Sequence, residues 1–121
     1  MNSRELVLLS PYRLPAQHEL ILASEDMAAW LHCYSALWHR TAGQPHTALA
    51  AMTKWYGPYH ASQAIRDCLL LHGNVGYSAE FPLEQRLRDV LAVEIADGTA
   101  QIQKIIIARE LFGRQFVPYG R

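Results

Sequence analysis

Neither positive nor negative charge is in excess in this sequence. Eleven lysine and arginine residues are balanced by eleven aspartate and glutamate residues, so the formal net charge at pH 7 is zero. Proteins that bind nucleic acid or anionic lipid by electrostatic attraction carry a basic patch and a positive balance. The composition therefore gives no reason to expect nucleic acid or a membrane surface as a partner.

Long apolar runs and cysteine-rich motifs are also absent. No run approaches the roughly 20 apolar residues that a membrane-spanning helix needs, so we expect no membrane span. The short apolar run after residues 1–5 does not predict a signal peptide. The two cysteines, Cys33 and Cys68, lack C-x-x-C spacing. We expect both to be buried, reduced thiols, which fits a reducing compartment and a cytoplasmic location.

Metal-binding and nucleophile motifs are lacking as well. The chain has six histidines, but neither His32 nor His39 has a histidine or carboxylate four residues away. No histidine–cysteine cluster has zinc spacing, and neither G-x-S-x-G nor a phosphate-binding P-loop occurs. The sequence therefore predicts no metal site.

Apolar residues at helical spacing are what the sequence does contain. They make up 50% of the chain, enough for one packed domain at this length. The periodicity predicts an all-α fold, an up-down four-helix bundle with short connections. Three of the helices are predicted to end at glycines: Gly43, Gly73 and Gly113. The predicted helices lie near residues 22–42, 47–72, 82–95 and 99–113.

The predicted bundle is preceded by a less regular segment. Pro11 and Pro15 stop any helix there, so we expect an irregular arm over residues 1–20 and the helical domain over residues 21–121. Gly57-Pro58 interrupts the second helix, because a proline inside a helix costs about 3 kcal/mol. Either the helix kinks there or it is two helices.

The first helix carries the strongest apolar pattern. Its large side chains repeat at three- and four-residue steps, which places them on one stripe. A stripe of this kind is typical of a helix that faces a protein core. We therefore expect the following residues to be buried: Met27, Trp30, Leu31, Tyr34, Leu37, Trp38 and Thr41. The alternative is an uncovered apolar surface that a partner or a second copy covers, for which the candidates are Trp30, Trp38, Trp55, Phe116 and Tyr119.

Two polar segments carry the candidate chemistry. The glycine-rich loop at residues 72–77 reads His-Gly-Asn-Val-Gly-Tyr, and a loop of this kind lets backbone N–H groups approach a phosphate. On spacing alone, its glycines are more typical of a helix end. The second segment, Asp97-Gly98-Thr99, precedes the last helix. Local sequence there favours a turn in which Asp97 or Thr99 caps that helix.

Together, the two segments resemble the C-terminal helical domain of the acyl-CoA dehydrogenases, FAD enzymes that desaturate acyl thioesters. The family pattern is roughly Q-x-H-G-G-x-G-Y-x-x-E-x-P-x-E-R-x-x-R-D, followed by E-G-T-x-x-I-Q-x-x-I-I-A-R. Here the first part reads LLHGNVGYSAEFPLEQRLRD and the second DGTAQIQKIIIAR. The match is ordered and has no gaps within either motif.

The resemblance implies roles for six residues. Asp97 stands where many family members carry the glutamate that removes the α-proton of the substrate while a hydride passes to the flavin. Aspartate keeps the carboxylate but is one methylene shorter. The resemblance implies FAD contacts for five further residues: Gly73, Asn74, Gly76, Thr99 and Gln101.

Some positions depart from the family pattern. Leu70 replaces a glutamine that contacts FAD, Asn74 replaces the second glycine of the loop, and Leu8 aligns with a flavin-contacting arginine. The remaining family domains, an N-terminal helical domain and a middle β domain, have no counterpart in this sequence. The first hypothesis is thus a small subunit of a split flavoprotein, inactive alone, that completes a site for FAD and an acyl thioester with a larger subunit. The alternative is a non-catalytic assembly module, and a homo-oligomer is compatible with either.

Overall fold

Four helices form the part of the chain that the structure describes, residues 16–116 of a computed structural model. No strand occurs over this range, which confirms the predicted all-α fold. A short 3-10 turn, Arg114–Phe116, follows the last helix. The helices are α1 (Ala16–Thr41), α2 (Thr47–Tyr77), α3 (Leu83–Ile95) and α4 (Ala100–Phe112).

The first helix begins earlier than predicted. It starts at Ala16, directly after Pro15, so residues 16–20 are helical and do not belong to an irregular arm. A proline is compatible with the start of a helix, because the N–H that it lacks would have no partner in the first turn anyway. The other residues assigned to the arm, and Leu8 among them, lie outside the described residues.

Helix α2 is the central element and packs against α1, α3 and α4. Its backbone stays helical through Gly57 and Pro58, so it is not divided into two helices there. A glycine before a proline explains this continuity. Proline disfavours helical backbone at the preceding residue partly through that residue's Cβ, which Gly57 lacks.

The break in α2 lies at Gly73 instead. There φ is 58° and ψ is −138°, a conformation essentially restricted to glycine, inside an otherwise helical span. The prediction that Gly73 ends the long helix is therefore confirmed in its backbone angles. One further helical turn follows before the chain reverses into α3.

Glycines also end α1 and α4, as predicted. Past α1, Gly43 has φ of 67°, and its N–H donates to the carbonyl of Arg40 at 3.2 Å. The N–H of Gln44 donates to the carbonyl of His39 at 2.8 Å. These two bonds form a Schellman motif, which satisfies carbonyls that the helix itself leaves unpaired. Gly113 ends α4 with φ of 92°.

The buried core lies between α2 and the start of α3. Ala64, Cys68 and Leu83 are its fully buried members, with Leu83 and Cys68 each only 1% exposed. Ile65, Leu69 and Phe81 pack around them. Burial raises the pKa of the Cys68 thiol, and the neighbouring Asp67 raises it further. Both effects favour the neutral thiol. Cys68 is buried, as predicted, whereas Cys33 is only partly buried, so the prediction of burial is wrong for Cys33.

The apolar stripe of α1 does not face this core. Its six large residues are between 51% and 65% exposed, so the prediction that they are buried is wrong. The helix instead packs on α2 through the opposite face, which carries the buried Ala36. On the same face, the ring of His32 lies 5.7 Å from that of Tyr56 on α2, and Glu25 pairs with His60 at 3.1 Å. We call the exposed set the aromatic face of α1: Met27, Trp30, Leu31, Tyr34, Leu37 and Trp38.

None of the helices in the described range has the length and apolar character needed to cross a bilayer.

Candidate functional site

The predicted site residues fall into two groups at opposite ends of α3. Gly73, Asn74 and Gly76 lie in the segment that leads into its N-terminus, and residues 97–101 follow its C-terminus. A helix of 13 residues is about 20 Å long. The structure therefore does not gather the six residues into one pocket, and a ligand that touched both groups would have to be long.

Asp97 occupies an unusual backbone position. Its φ is 56°, and no other non-glycine residue in the described range has a positive φ. Aspartate and asparagine tolerate this left-handed region better than most residues. Gly98 follows with φ of 100°, so two successive residues turn the chain sharply between α3 and α4. The Asp97 side chain is left exposed at the surface of this turn.

Two side chains from other elements hold the turn. Gln103 of α4 is 6% exposed, and its Nε2 donates to the carbonyls of Asp97 at 3.1 Å and Gly98 at 3.3 Å. Lys54 of α2 donates its Nζ to the carbonyl of Val93, in the last turn of α3. A lysine there satisfies a carbonyl at the negative end of the helix dipole. Gln103 thus holds the turn directly, whereas Lys54 holds the end of α3 that leads into it.

Neither Asp97 nor Thr99 acts as a side-chain cap. Thr99 occupies the N-cap position of α4, but its side chain makes no capping hydrogen bond. The first turn of α4 also contains no acidic residue. Its N–H groups therefore keep their positive partial charge, a setting that attracts phosphate oxygens. The simplest structural explanation for Asp97, helix capping, is not what the structure shows.

The glycine-rich segment has structural reasons for both of its glycines. Gly73 is needed for its backbone angles, and Gly76 for close packing. A Cβ on Gly76 would lie 2.7 Å from both the Cβ of His72 and the carbonyl oxygen of Leu69. Gly76 is consequently buried against its own helix, whereas Gly73 and Asn74 are exposed. Asn74 does not have a positive φ, so its tolerance of left-handed backbone is not used.

His72 stands beside this segment with an unsatisfied nitrogen. The residue is 9% exposed, its Nδ1–H donates to the carbonyl of Cys68 at 2.7 Å, and its ring lies 5.2 Å from that of Phe81. Its Nε2 is buried and has no hydrogen-bond partner among the described residues. The sequence pattern predicted no role for His72 beyond its place in the motif.

Sequence reasoning also missed the supporting roles of Gln103 and Lys54. Gln103 is a polar residue within an apolar helical run, and this position was the available signal, because a buried amide needs partners. Lys54 offered no comparable signal, since its acceptor lies 39 residues away on another helix. No group of three or more histidine, cysteine or acidic residues that could hold a metal ion occurs among the residues described.

Replacing Gln103 with alanine is expected to destabilise the protein by about 1–3 kcal/mol, because two carbonyls of a strained turn lose their donor. Urea unfolding followed by circular dichroism measures the change. Gln101→Ala is the matched control, since Gln101 is exposed on the same helix, and its effect is expected to stay within about 0.5 kcal/mol. Equal effects of the two substitutions would show that Gln103 does not hold the turn.

A comparison with family models decides the relationship. Residues 17–112 match the model described as the acyl-CoA dehydrogenase C-terminal domain. This range includes all four helices nearly in full, together with both groups of site residues. The chain belongs to the acyl-CoA dehydrogenase family.

Curated acyl-CoA dehydrogenase family relatives agree with this assignment. The chain is 37% identical over 76 residues to a probable acyl-CoA dehydrogenase, YngJ, of Bacillus subtilis, a match that covers 63% of this chain and 20% of the relative. It is 36% identical over 93 residues to an acryloyl-CoA reductase (NADH) of Anaerotignum propionicum, covering 77% of this chain and 24% of the relative. The chain thus spans about a fifth to a quarter of the length of these proteins.

Solved structures match over most of the chain. The acyl-CoA dehydrogenase of Geobacillus kaustophilus aligns with a TM-score of 0.75 and 25% identity, covering 91% of this chain and 31% of that one. An FAD complex of PigA aligns with a TM-score of 0.72 and 28% identity, covering 93% and 31%. Butyryl-CoA dehydrogenase of Megasphaera elsdenii, at 23% identity, supports the fold with a TM-score of 0.78 over 90% of this chain and 31% of that one.

The residues present fit part of an FAD site. The N-terminus of α4, with no side-chain cap or acidic residue in its first turn, suits a pyrophosphate, and Thr99 and the exposed Gln101 flank it. Gly73 and Asn74 are exposed and accessible. Gly76 is packed against Leu69 and His72, and the cofactor contact predicted for it stays a prediction. These residues offer an open surface rather than an enclosed pocket.

Proposed function

We propose that this chain supplies the C-terminal helical domain of an acyl-CoA dehydrogenase-like flavoprotein, with Asp97 as the base that accepts the α-proton of an acyl thioester. The observation that carries the proposal is the turn at Asp97. The carboxylate is exposed, it caps no helix, and its backbone is held by Gln103 and supported by Lys54. A positioned carboxylate without a structural partner is what a general base requires.

The chain's own groups account for one part of the reaction. In the proposed site, Asp97 accepts the proton from the carbon next to the thioester carbonyl, and FAD, when bound, supplies the acceptor for the hydride. The N-terminus of α4 and Thr99 hold the negatively charged part of the cofactor, and Gln101 lies next to them. Gln103 holds the backbone of the turn, and with it the Asp97 carboxylate, in a fixed position. This matters because a displacement of 1 Å in a reacting group can cost about a hundredfold in rate.

The remaining parts of the site have to come from other domains. Asp97, Gln101, Gly73 and Asn74 are all exposed in this chain, whereas small-molecule sites usually enclose most of their ligand. The proposal therefore places the flavin ring, the acyl pocket and the exclusion of water on a larger subunit or on further domains. FAD would be shared across that interface.

A second function, a non-catalytic assembly module, is favoured by a different observation. Gly73, Gly76 and Gln103 each have a packing or backbone role that explains them without any ligand. Leu70, in the place of a family glutamine, is 67% exposed and offers no polar contact. Under this alternative, the retained motifs preserve the shape of the bundle alone.

The isolated chain is expected to bind FAD weakly, with saturation absent at tens of micromolar cofactor, because the exposed half-site gives little enclosure. Flavin fluorescence titration of the purified chain measures this. Co-expression with a flavoprotein that holds the other two domains but lacks the helical one is expected to yield a yellow complex that contains both chains. Tight stoichiometric FAD in the chain alone would contradict the shared site, and a colourless complex would favour the assembly module.

A further inference from the structure

The turn between α3 and α4 joins an aspartate directly to a glycine, Asp97 to Gly98. Ala96 has φ of −60° and ψ of 145°, and Asp97 has φ of 56°. These values are close to those of the two central residues of a type II turn, in which glycine or asparagine is preferred at the second position. The backbone of Asp97 is therefore strained, and its side chain is exposed to solvent.

An aspartate that precedes a glycine can react with its own backbone. The nitrogen of Gly98 attacks the Cγ of Asp97, a C–N bond forms, and the carboxyl hydroxyl and the amide hydrogen leave as water. The product is a five-membered succinimide ring, and a glycine favours its formation because no Cβ hinders the nitrogen. The glutamate that many family members carry at this position would need a larger ring. The exchange of glutamate for aspartate is thus what creates the reactive pair.

Water then opens the ring at one of its two carbonyls, and the choice decides the product. Cleavage between the nitrogen and Cγ restores aspartate. Cleavage between the nitrogen and the main-chain carbonyl carbon leaves the chain connected through Cγ, which is isoaspartate, so the lost water is regained and nothing is oxidised or reduced. The Nε2 of Gln103 donates to that main-chain carbonyl oxygen at 3.1 Å. A donor there stabilises the negative charge that develops on the oxygen when water adds.

We propose that Asp97-Gly98 is a site of spontaneous modification, at which Asp97 cyclises to a succinimide and Gln103 directs the ring opening toward isoaspartate. The other three aspartates of the chain lie inside helices and precede residues that carry side chains: Asp26, Asp67 and Asp89. A helical backbone donates its N–H groups to carbonyls four residues earlier, which keeps each nitrogen away from the neighbouring carboxylate. The modification is therefore confined to the turn.

Isoaspartate replaces the candidate base with a differently placed group. Its main chain is longer by one methylene, and its carboxylate is attached directly to Cα. The chemistry needs only the turn and water, so it does not depend on either proposed function. Asp97→Asn forms the same ring by loss of ammonia, so flavin reduction by that variant is measured on freshly prepared protein.

Incubation of the full-length chain in neutral buffer made with heavy-oxygen water tests the site. Each ring opening puts one heavy oxygen into residue 97, and peptide mass spectrometry with electron-transfer fragmentation separates aspartate from isoaspartate. Labelled isoaspartate is expected to accumulate at residue 97 over days, with no label at the three helical aspartates. Asp97→Glu is expected to lose the label, because glutamate does not form the five-membered ring. No label at residue 97, or equal label at a helical aspartate, would overturn the proposal.

The ratio of labelled isoaspartate to labelled aspartate tests the role of Gln103. This ratio depends on how the ring opens and not on how fast it forms. Gln103→Ala is expected to lower it, and so is unfolding of the wild-type chain in guanidinium chloride, because Gln103 then no longer contacts the turn. Gln101→Ala is the matched control, since Gln101 is exposed on the same helix, and it is expected to keep the wild-type ratio. Equal ratios in the folded and unfolded wild-type chain would overturn the directing role of Gln103.

Discussion

Replacing Asp97 with asparagine is expected to abolish flavin reduction by an acyl thioester in the complex with the remaining domains, with a loss of at least about a hundredfold. General bases contribute about 10²–10⁴-fold to rate. Asparagine has nearly the same size as aspartate and tolerates the same left-handed backbone, which the φ of 56° at this position demands. The substitution therefore removes the basic group while the turn is kept. Anaerobic stopped-flow absorbance of the flavin measures the rate.

Asp89→Asn is the matched control, because Asp89 is an exposed aspartate in the middle of α3. Its flavin reduction rate is expected to equal that of the wild type. Co-purification and flavin content are expected to be unchanged in both variants. If Asp97→Asn reduces flavin at the wild-type rate, the base lies elsewhere and the assembly module becomes the better account of this chain.

Replacing Leu83 with alanine is expected to have the largest effect on stability, about 2–5 kcal/mol. Leu83 is 1% exposed and packs at the start of α3 against the buried residues of α2. Because the fully buried core is small, its neighbours can fill the cavity only by moving α3. Urea unfolding followed by circular dichroism measures the loss in free energy of unfolding. If the variant is already unfolded without urea, the loss exceeds the whole stability of the protein, which also agrees with the prediction.

Two further variants make this result specific. Leu83→Met keeps the volume and is expected to cost less than about 1.5 kcal/mol. Leu91→Ala changes an exposed leucine on the same helix and is expected to cost less than about 1 kcal/mol. If Leu83→Ala were no more harmful than Leu91→Ala, the contact between α2 and α3 would not be the centre of the fold.

The number of helices and most of their ends could be predicted from the sequence, because those ends depend on local chemistry. Gly43 and Gly113 take up the positive φ values that end α1 and α4, and Pro82 directly precedes α3. Of the two outcomes predicted at Pro58, the division into two helices is wrong, since the backbone stays helical through that residue. The position of the true break, Gly73, was predicted as a helix end on the same local grounds.

Two features could not be predicted from local sequence: which face of α1 packs against α2, and which side chains hold the turn at Asp97. Periodicity finds the stripe with the largest apolar residues, but α1 packs on α2 through its opposite face, where Ala36 is buried and His32 and Glu25 contact Tyr56 and His60. The support of the Asp97 turn by Gln103 and Lys54 depends on contacts between helices. The resemblance to the family gave the identity of Asp97 as a candidate base, while its left-handed backbone became visible only in three dimensions.

The contact between Gln103 and Gly98 also couples these two positions during evolution. At φ of 100° any side chain at position 98 is strained. A Cβ there would lie 2.8 Å from the Nε2 of Gln103, so the amide would have to move away from the two carbonyls that it binds. A substitution at position 98 is therefore expected to remove the support that Gln103 gives to the turn, in addition to straining the backbone.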